Sequence, residues 1–138
     1  MTQSALQMSD PDLFFLTPAE IYEIAEKILG HKPDVRDRHL LRVAAARPLL
    51  AAFGEQAYPT LLDKAAALLH ALAAHHLFYD GNKRTATQAV TRFLRGNGLL
   101  PTWNNEQIAA FVLEIAQNQH DIPAIAAWLS HHTVPSED

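Results

Sequence analysis

Apolar residues recur every three or four positions along most of this chain, which is the spacing of helices with one buried face. The first such segment has apolar residues at positions 21, 24, 25 and 28. Thr17 can cap its start, Pro18 suits the first helical position, and Glu20 can complete a capping box with Thr17. Gly30 is a natural stop. The pattern therefore predicts a helix over residues 18–29.

The next segments predict a second helix and a central helical hairpin. Asp37 can cap the second helix, which Pro48 must end or kink. Thr60 begins the longest apolar run, and because this run is apolar almost all the way round, it predicts a central helix packed on several sides. After a loop at 76–82, a further amphipathic run extends to the Gly96-Asn97-Gly98 turn. We expect these two long helices to form a hairpin.

Residues 47–59 fit no single element. Positions 51–53 could extend a helical turn, whereas Gly54 and Pro59 indicate a loop. The segment has room for a flap beside a site, but its residue pattern does not require one.

Two more helices complete the prediction. Asn104 or Asn105 can cap the fifth, and Asp121 can cap the sixth. The predicted fold class is all-α. It is a compact bundle of about six helices, with the candidate active-site loop between the two central ones.

Length and composition describe one folded domain. With 138 residues, 49% of them hydrophobic and 19% charged, the chain can bury a core within a single domain over 1–138, with loose tails at 1–13 and 133–138. The sequence has no cysteine, no basic-then-apolar leader and no uninterrupted apolar run of membrane-spanning length. Its net charge of −4 argues against a general nucleic-acid binder. We therefore expect a cytoplasmic protein that contacts neither nucleic acid nor a membrane directly.

The loop between the two central helices concentrates the candidate chemistry, in the string HLFYDGNKR at 76–84. A helix that starts here offers unpaired backbone N–H groups and the positive end of its dipole, which attract phosphate. Gly81 lets the backbone come close to a ligand, and Asn82 can cap the helix or fix the loop. Lys83 and Arg84 place cations at the helix end where they cost stability, which makes sense if an anion binds there.

His76 and Asp80 supply the complementary groups. The imidazole of His76 can accept a proton near neutral pH, so it is the candidate general base. Asp80 is a hard oxygen ligand, and Mg²⁺ bound to phosphates commonly takes only one or two protein carboxylates. We expect Phe78 to point into the core and anchor the loop.

Each of these residues alone has a simpler explanation. A histidine at a helix end is usually a cap or a solvated side chain, Asp-Gly and Gly-Asn usually form turns, and Lys-Arg usually lies on a solvated face. A Walker A phosphate loop is excluded, because its upstream glycine and preceding strand are missing. The prediction therefore rests on the joint spacing over residues 76–84.

The same nine residues resemble the signature of the Fic superfamily, His-x-Phe-x-Asp/Glu-Gly-Asn-Gly/Lys-Arg, and every position of it is satisfied. The chain is similar in particular to the death-on-curing (Doc) branch. The similarity extends along most of the chain, through the blocks Val35-Arg36-Asp37, Leu40-Leu41, Arg47-Pro48, Tyr58-Pro59, Lys64-Ala65-Ala66, Phe93-Leu94 and Asn97-Gly98. The resemblance implies the helical Fic/Doc fold.

The resemblance also implies roles for individual residues. It implies that His76 is the general base and that Asp80 holds Mg²⁺. It implies that ATP phosphates are bound by the backbone and side chains of Gly81, Asn82, Lys83 and Arg84. Arg36 and Lys64 either support the loop and its neighbouring helix or bind the ligand, and structural support is the favoured role.

Two positions differ from the nucleotidyl-transferring members of the family, which usually have Gly in place of Lys83 and Arg in place of Thr87. The string KRTA at 83–86 is instead similar to Doc toxins, which transfer the terminal phosphate of ATP to a threonine of elongation factor Tu and so arrest translation. The function implied is that of a phosphate-transferring toxin. A protein nucleotidyltransferase that adds AMP is the alternative, and an inactive binding module is a third reading.

No glutamate of this chain is followed by Gly or Asn, so it lacks the inhibitory Ser/Thr-x-x-x-Glu-Gly/Asn motif that some Fic proteins carry. Restraint would then come from a separate protein. The resemblance implies a small antitoxin of the prevent-host-death type, whose C-terminal segment folds on binding a groove of this domain.

Overall fold

A computed structural model describes residues 12–137 of the chain. The six α-helices of this part are α1 Pro18–Leu29, α2 Arg38–Ala46, α3 Leu61–Ala74, α4 Asn82–Gly96, α5 Asn105–Ala116 and α6 Ile122–His131, and a 3₁₀ turn, Arg47–Leu49, follows α2. The short strands are β1 Ala51–Ala52, β2 Glu55–Gln56, β3 Leu99–Pro101 and β4 Thr133–Pro135. They form two antiparallel pairs, β1 with β2 and β3 with β4. The predicted all-α bundle is confirmed, and no helix within residues 12–137 is both long and apolar enough to cross a membrane.

Five of the six helices begin at a side chain that accepts a hydrogen bond from the backbone N–H three residues further on. The capping residues are Thr17, Asp37, Thr60, Asn104 and Asp121. Thr17 and Asn104 also form reciprocal capping boxes, with Glu20 and Gln107. The polar residue before each of these helical runs thus sets where the helix starts. Helix α4 is the exception, because no side chain caps it.

Helices α3 and α4 occupy the middle of the bundle. Helix α3 packs against α4, α5, α6 and the 3₁₀ turn, and α4 packs also against α1, α5 and β3. The buried side chains of α4 are those of Thr85, Ala86, Ala89, Val90, Phe93 and Leu94. Burying a Leu or Phe side chain is worth about 1.5–3 kcal/mol. The loop that joins these two helices is therefore held at both ends by the best-packed part of the molecule.

The far end of α4 is tied to the segment before α1 by Asn97. Its Oδ1 accepts from the N–H of Phe14 at 2.8 Å, and its Nδ2 donates to the carbonyl oxygens of Phe14 and Phe93, each at 2.9 Å. The ring of Phe14 lies so close to Gly96 that a Cβ there would collide with it. Phe14 is thereby held against the end of α4.

The segment whose fold the sequence left open contains the 3₁₀ turn and the β1–β2 hairpin. Phe53 and Gly54 at the tip have φ angles of 55° and 79°, the combination found in two-residue type I′ turns. Lys64, fully buried in α3, donates from Nζ to Gln56 Oε1 at 2.5 Å and to the carbonyl oxygen of Tyr58. A buried lysine therefore fixes the returning strand to the central helix. A role of this hairpin as a substrate-binding flap stays a prediction.

The structure differs from the tail predicted over residues 133–138. Residues Thr133–Pro135 form β4, and the N–H of Ser136 donates to the carbonyl oxygen of Gly98 at 2.7 Å. Because the two paired strands are short and far apart in sequence, neither carries a local signal for the pairing. Of the predicted N-terminal tail, residues 1–11 lie outside the described part, whereas Leu13 packs against the core.

Candidate functional site

The loop between α3 and α4 is paired with the segment that precedes α2. The carbonyl oxygen of Leu77 accepts from the N–H groups of Arg36 and Asp37, at 2.8 and 3.3 Å. The N–H of Tyr79 donates to the carbonyl oxygen of Asp34 at 3.2 Å, beside an antiparallel β-bridge. The loop is thus held by strand-like backbone hydrogen bonds to the segment before α2, although its sequence shows no strand pattern.

Asn82, the first residue of α4, braces the loop from the other side. Its Oδ1 accepts from the N–H of Phe78 at 3.0 Å, and its Nδ2 donates to the Phe78 carbonyl oxygen at 2.8 Å. The Phe78 side chain is 2% exposed, as expected of a core anchor. Since the amide of Asn82 is engaged with the loop, any contribution of this residue to phosphate binding would come from its backbone N–H.

Gly81 makes the turn into α4. Its φ of 78° is left-handed, and a Cβ at this position would stand 3.3 Å from Leu29 Cδ2. Its N–H donates to Asp80 Oδ1 at 2.8 Å. A glycine is therefore required here by both backbone angle and space, which adds a structural reason to the close ligand approach predicted from the sequence.

The N-terminus of α4 has no side-chain cap. The first bond of the helix runs from the N–H of Thr85 to the carbonyl oxygen of Gly81, at 2.9 Å. The N–H groups of residues 82–84 therefore have no partner within the helix, and no side chain caps them. Lys83 and Arg84 are exposed in the first turn, which contains no acidic residue. Helix dipole, free N–H groups and two cations all favour a bound anion at this end.

His76 and Asp80 lie on the same loop, one on each side of buried Leu77 and Phe78, and both are exposed. The bond from the Gly81 N–H orients the Asp80 carboxylate through one oxygen, and the other oxygen has no partner among residues 12–137. Within residues 12–137, no three histidine, cysteine, aspartate or glutamate side chains gather as a metal site. A cation at Asp80 would therefore take its remaining ligands from phosphate and water, which is how Mg²⁺ is usually held with a nucleotide.

Arg36 and Lys64, the two candidate supporting residues, act at different places. Arg36 ties the loop down through its backbone N–H, while its side chain is exposed. Lys64 bonds Gln56 and Tyr58 instead of the loop. Burial lowers the pKa of Lys64, against a smaller opposing effect of Asp63. Its geometry is that of a residue that supports the hairpin.

His70 was not singled out by the sequence motif, yet it is unusually placed. Its Nδ1 is buried without a hydrogen-bond partner in the described residues, and its ring meets that of His75 edge to face at 6.2 Å between centroids. Burial, His75 and Arg47, in that order, lower the pKa of His70, and Asp121 opposes them. The neutral imidazole is thus favoured near the end of α3, the helix that leads into the candidate site.

A groove of about 360 Å³ opens beside Lys83 and Arg84, where α1, α4 and α5 meet. Its other lining residues are Ile28, Thr87, Gln88, Asn105, Ile108, Ala109 and Val112. Sequence reasoning missed this groove because its walls come from three helices. The one signal available was the polar face of α4, where Arg84 and Gln88 are one turn apart.

Comparisons with known proteins match the part of the sequence that contains this loop. The sequence model described as the Fic/DOC family matches residues 15–94, more than half of the chain, and so includes the loop and most of α4. A curated protein described as Toxin Doc, from Mycolicibacterium smegmatis (strain ATCC 700084 / mc(2)155), is 39% identical over 118 residues. That alignment covers 84% of this chain and 91% of the relative.

Proposed function

The chain belongs to the Fic/DOC family, and on that basis we propose that it is the toxin of a toxin–antitoxin pair. Its activity would be the transfer of the terminal phosphate of ATP to a hydroxyl group of a translation protein, with elongation factor Tu as the expected substrate. The toxin role is supported by the description of the relative from Mycolicibacterium smegmatis. The phosphate transfer is supported by the geometry of the loop and by the residue at position 83.

The observation that carries the proposal is the uncapped N-terminus of α4. Every other α-helix within residues 12–137 has a side-chain cap, whereas this one has free N–H groups and two cations. Cations at a helix N-terminus cost about 0.3–1 kcal/mol each at low ionic strength. Lys83 and Arg84 would therefore stabilise this end of the helix only when an anion is bound there.

The transfer itself needs positioning and charge neutralisation more than covalent chemistry from the protein. His76 would accept the proton of the attacking hydroxyl, and the hydroxyl oxygen would form a bond to the γ-phosphorus. The bond from that phosphorus to the bridging oxygen would break, and ADP would leave with the electron pair. Residues 81–84 would hold the phosphates through backbone N–H groups and the side chains of Lys83 and Arg84.

The free carboxylate oxygen of Asp80 fits Mg²⁺ as a single protein ligand. When bound with ATP, the ion would neutralise charge on the phosphate oxygens. The protein's part is to keep that carboxylate oriented, which the hydrogen bond from Gly81 does.

Lys83 is the residue that favours phosphate over AMP transfer. Its side chain adds a cation at the helix end where nucleotidyl-transferring relatives usually have glycine. Extra charge in the phosphate cradle would change which phosphate faces the attacking hydroxyl. Transfer of AMP remains the runner-up, since both reactions use the same base and the same helix end.

Labelled ATP decides between these reactions. The purified protein is incubated with a cell extract and either γ-labelled or α-labelled ATP, and labelled proteins are identified. We expect label on elongation factor Tu from the γ position alone. Label that arrives only from the α position contradicts phosphate transfer and supports the nucleotidyltransferase.

Substitution of the candidate base, His76, tests the alternative that the protein is a binding module without catalytic activity. Expression of the wild-type chain is expected to arrest growth, and His76→Ala is expected to abolish that arrest. The matched control is His75→Ala, which removes the neighbouring imidazole and should keep the toxicity. Equal toxicity of His76→Ala and the wild type would indicate a protein that acts by binding.

Restraint of the toxin would come from a small antitoxin of the prevent-host-death type. This sequence contains no inhibitory glutamate motif, and no side chain within residues 12–137 caps the N-terminus of α4. Co-expression of the protein encoded by the neighbouring reading frame is expected to restore growth.

A further inference from the structure

A second groove, of about 400 Å³, lies between α1 and α2 and is here called the α1–α2 groove. Its apolar lining comes from Pro18, Ala19, Tyr22, Val35 and Leu41. Leu41 is buried, whereas Ala19 is exposed and the other three are half-buried. None of residues 76–84 lines this groove, so it is separate from the candidate site.

The two walls of the α1–α2 groove carry opposite charges. Glu23 and Glu26 stand on the α1 wall, three residues apart, and Arg38 and Arg42 stand on the α2 wall, four residues apart. At 1.5 Å per residue, these spacings correspond to about 4.5 and 6 Å along the two helices. Each wall therefore presents one pair of like charges on a single face of its helix, and the two pairs have similar spacings.

These four charged groups are not paired within the molecule. Among residues 12–137 the one ion pair is that of His120 with Glu114, so no ion pair joins the two walls of the groove. Like charges one turn apart on a helix repel each other and destabilise it. Both walls would therefore gain from opposite charges supplied by a partner.

A partner for this groove needs charges of both signs. A nucleic acid, or a strongly acidic or basic segment, would be attracted by one wall and repelled by the other. A second copy of this chain carries both charges on matching walls. A two-fold axis that runs along the groove brings α1 of each copy opposite α2 of the other, which makes the surface self-complementary in charge.

We propose that the α1–α2 groove is the interface of a two-fold symmetric dimer of this chain. The carboxylates of Glu23 and Glu26 in each copy would pair with the guanidinium groups of Arg38 and Arg42 in the other. These long side chains would fill the joined cavities, and the half-buried ring of Tyr22 would be covered. Tyr and Arg are enriched in protein interfaces.

Val35 links this interface to the candidate site. It lines the groove and forms an antiparallel bridge with Phe78, in the loop between α3 and α4. The N–H groups of Arg36 and Asp37, which follow it, hold the carbonyl oxygen of Leu77. The second copy would therefore cover the segment that braces the loop. The inference adds an assembly to the proposed function and does not depend on which group is transferred.

The test uses two double variants whose grooves carry charges of one sign only. Glu23→Arg with Glu26→Arg makes both walls cationic, and Arg38→Glu with Arg42→Glu makes both walls anionic. Size-exclusion chromatography with light scattering measures the mass of each full-length protein over a range of concentrations. Thermal unfolding confirms that every variant is folded.

The matched control is Arg92→Glu with Arg95→Glu. It reverses two exposed arginines of α4, which do not line the α1–α2 groove. We expect this control and the wild type to form dimers alike, in a fraction that rises with concentration. High NaCl should weaken the association of both.

Each single-sign variant should associate at least about 100-fold more weakly than the wild type, because like charges would face each other across the interface. An equimolar mixture of the two single-sign variants should restore the dimer, since every wall then meets a wall of opposite charge. This rescue depends on the groove itself and not on a general effect of net charge.

A wild type that stays monomeric at every concentration would overturn the proposal. Dimers of both single-sign variants as stable as those of the wild type would do so too, as would a mixture that fails to restore the dimer. The purified protein encoded by the neighbouring reading frame is titrated as a further probe. If the wild type is monomeric and the single-sign variants lose affinity for that protein, the groove binds that partner and the proposal is wrong.

Discussion

Asn82 holds both backbone polar groups of Phe78, accepting from its N–H at 3.0 Å and donating to its carbonyl oxygen at 2.8 Å. Asn97 does the same to Phe14 at the other end of α4, at 2.8 and 2.9 Å. Helix α4 is thus fixed at each end by an asparagine side chain that binds the backbone of a phenylalanine; we call each such pair a clamp. The first clamp positions the candidate site and the second is remote from it.

Substitution of the two asparagines should separate stability from activity. Asn82→Ala and Asn97→Ala each remove two or more hydrogen bonds, so each should lower the free energy of unfolding by about 1–3 kcal/mol. Asn82→Ala should in addition reduce phosphate transfer by about 10–100-fold, because the loop with His76 and Asp80 loses its brace. Urea denaturation and label transfer measure the two effects. Equal activity of the two variants would contradict the positioning role of Asn82.

Charge at the two ends of α4 should have opposite effects on stability. Lys83→Gln with Arg84→Gln should raise the free energy of unfolding of the ligand-free protein by about 0.5–1 kcal/mol at low salt, because it removes cations from the positive end of the helix. The same double variant should bind ATP far more weakly. Arg95→Gln, in the last turn, is the control and should destabilise by a similar amount. A destabilised double variant would show that these cations have structural partners.

Gly81→Ala should be costlier than an equivalent change at an open glycine. Gly81 and Gly98 both have left-handed φ angles, 78° and 86°, but only the first would bring a Cβ within 4 Å of a neighbour, at 3.3 Å from Leu29. Each change should cost about 1 kcal/mol for the backbone, and Gly81→Ala should cost more. Addition of Leu29→Ala should remove that excess, as measured in a double-mutant cycle. An additive cycle would contradict the contact.

His70 should make stability fall on mild acidification. Burial, His75 and Arg47 lower the pKa of His70 in the folded state, with Asp121 opposing them. As the pH falls, the unfolded chain therefore binds a proton at His70 before the folded protein does. The stability that this histidine contributes is fully present above the unfolded pKa of about 6.5 and is lost as the pH falls through the lowered pKa of the folded state. His70→Phe keeps a ring against His75 and should flatten the decline, whereas His39→Gln on the exposed side of α2 should not. Unfolding measured between neutral and mildly acidic pH checks this.

The helices were predictable because their signals are local. Thr17, Asp37 and Asp121 cap the helices that the sequence assigned to them, and Pro18–Leu29 has the predicted bounds. Thr60, predicted only to begin an apolar run, caps α3 as well. Each cap needs only a short polar side chain and the three residues after it. The motif loop was also local, since all its candidate groups lie within nine positions.

What the sequence could not supply depends on pairs of distant segments. The carbonyl oxygen of Leu77 is held by the N–H groups of Arg36 and Asp37, and no pattern in either segment indicates that contact. The side chain of Asn82 could have capped the helix or fixed the loop, and only its bonds to Phe78 decide between them. The groove beside Lys83 and Arg84 exists only once α1, α4 and α5 have packed together.

Strand β4 has a practical consequence for handling the protein. Thr133–Pro135 pairs with Leu99–Pro101, directly after the clamp at Asn97, and the bond from Ser136 to Gly98 continues that closure. A truncation before residue 133 would unpair these backbone groups and uncover Leu99, which is 3% exposed. Purification tags and fluorescent fusions attached there would disturb the C-terminal end of α4, the helix whose N-terminal end lies at the candidate site. Codons 133–136 are therefore better preserved, with a flexible spacer placed after them.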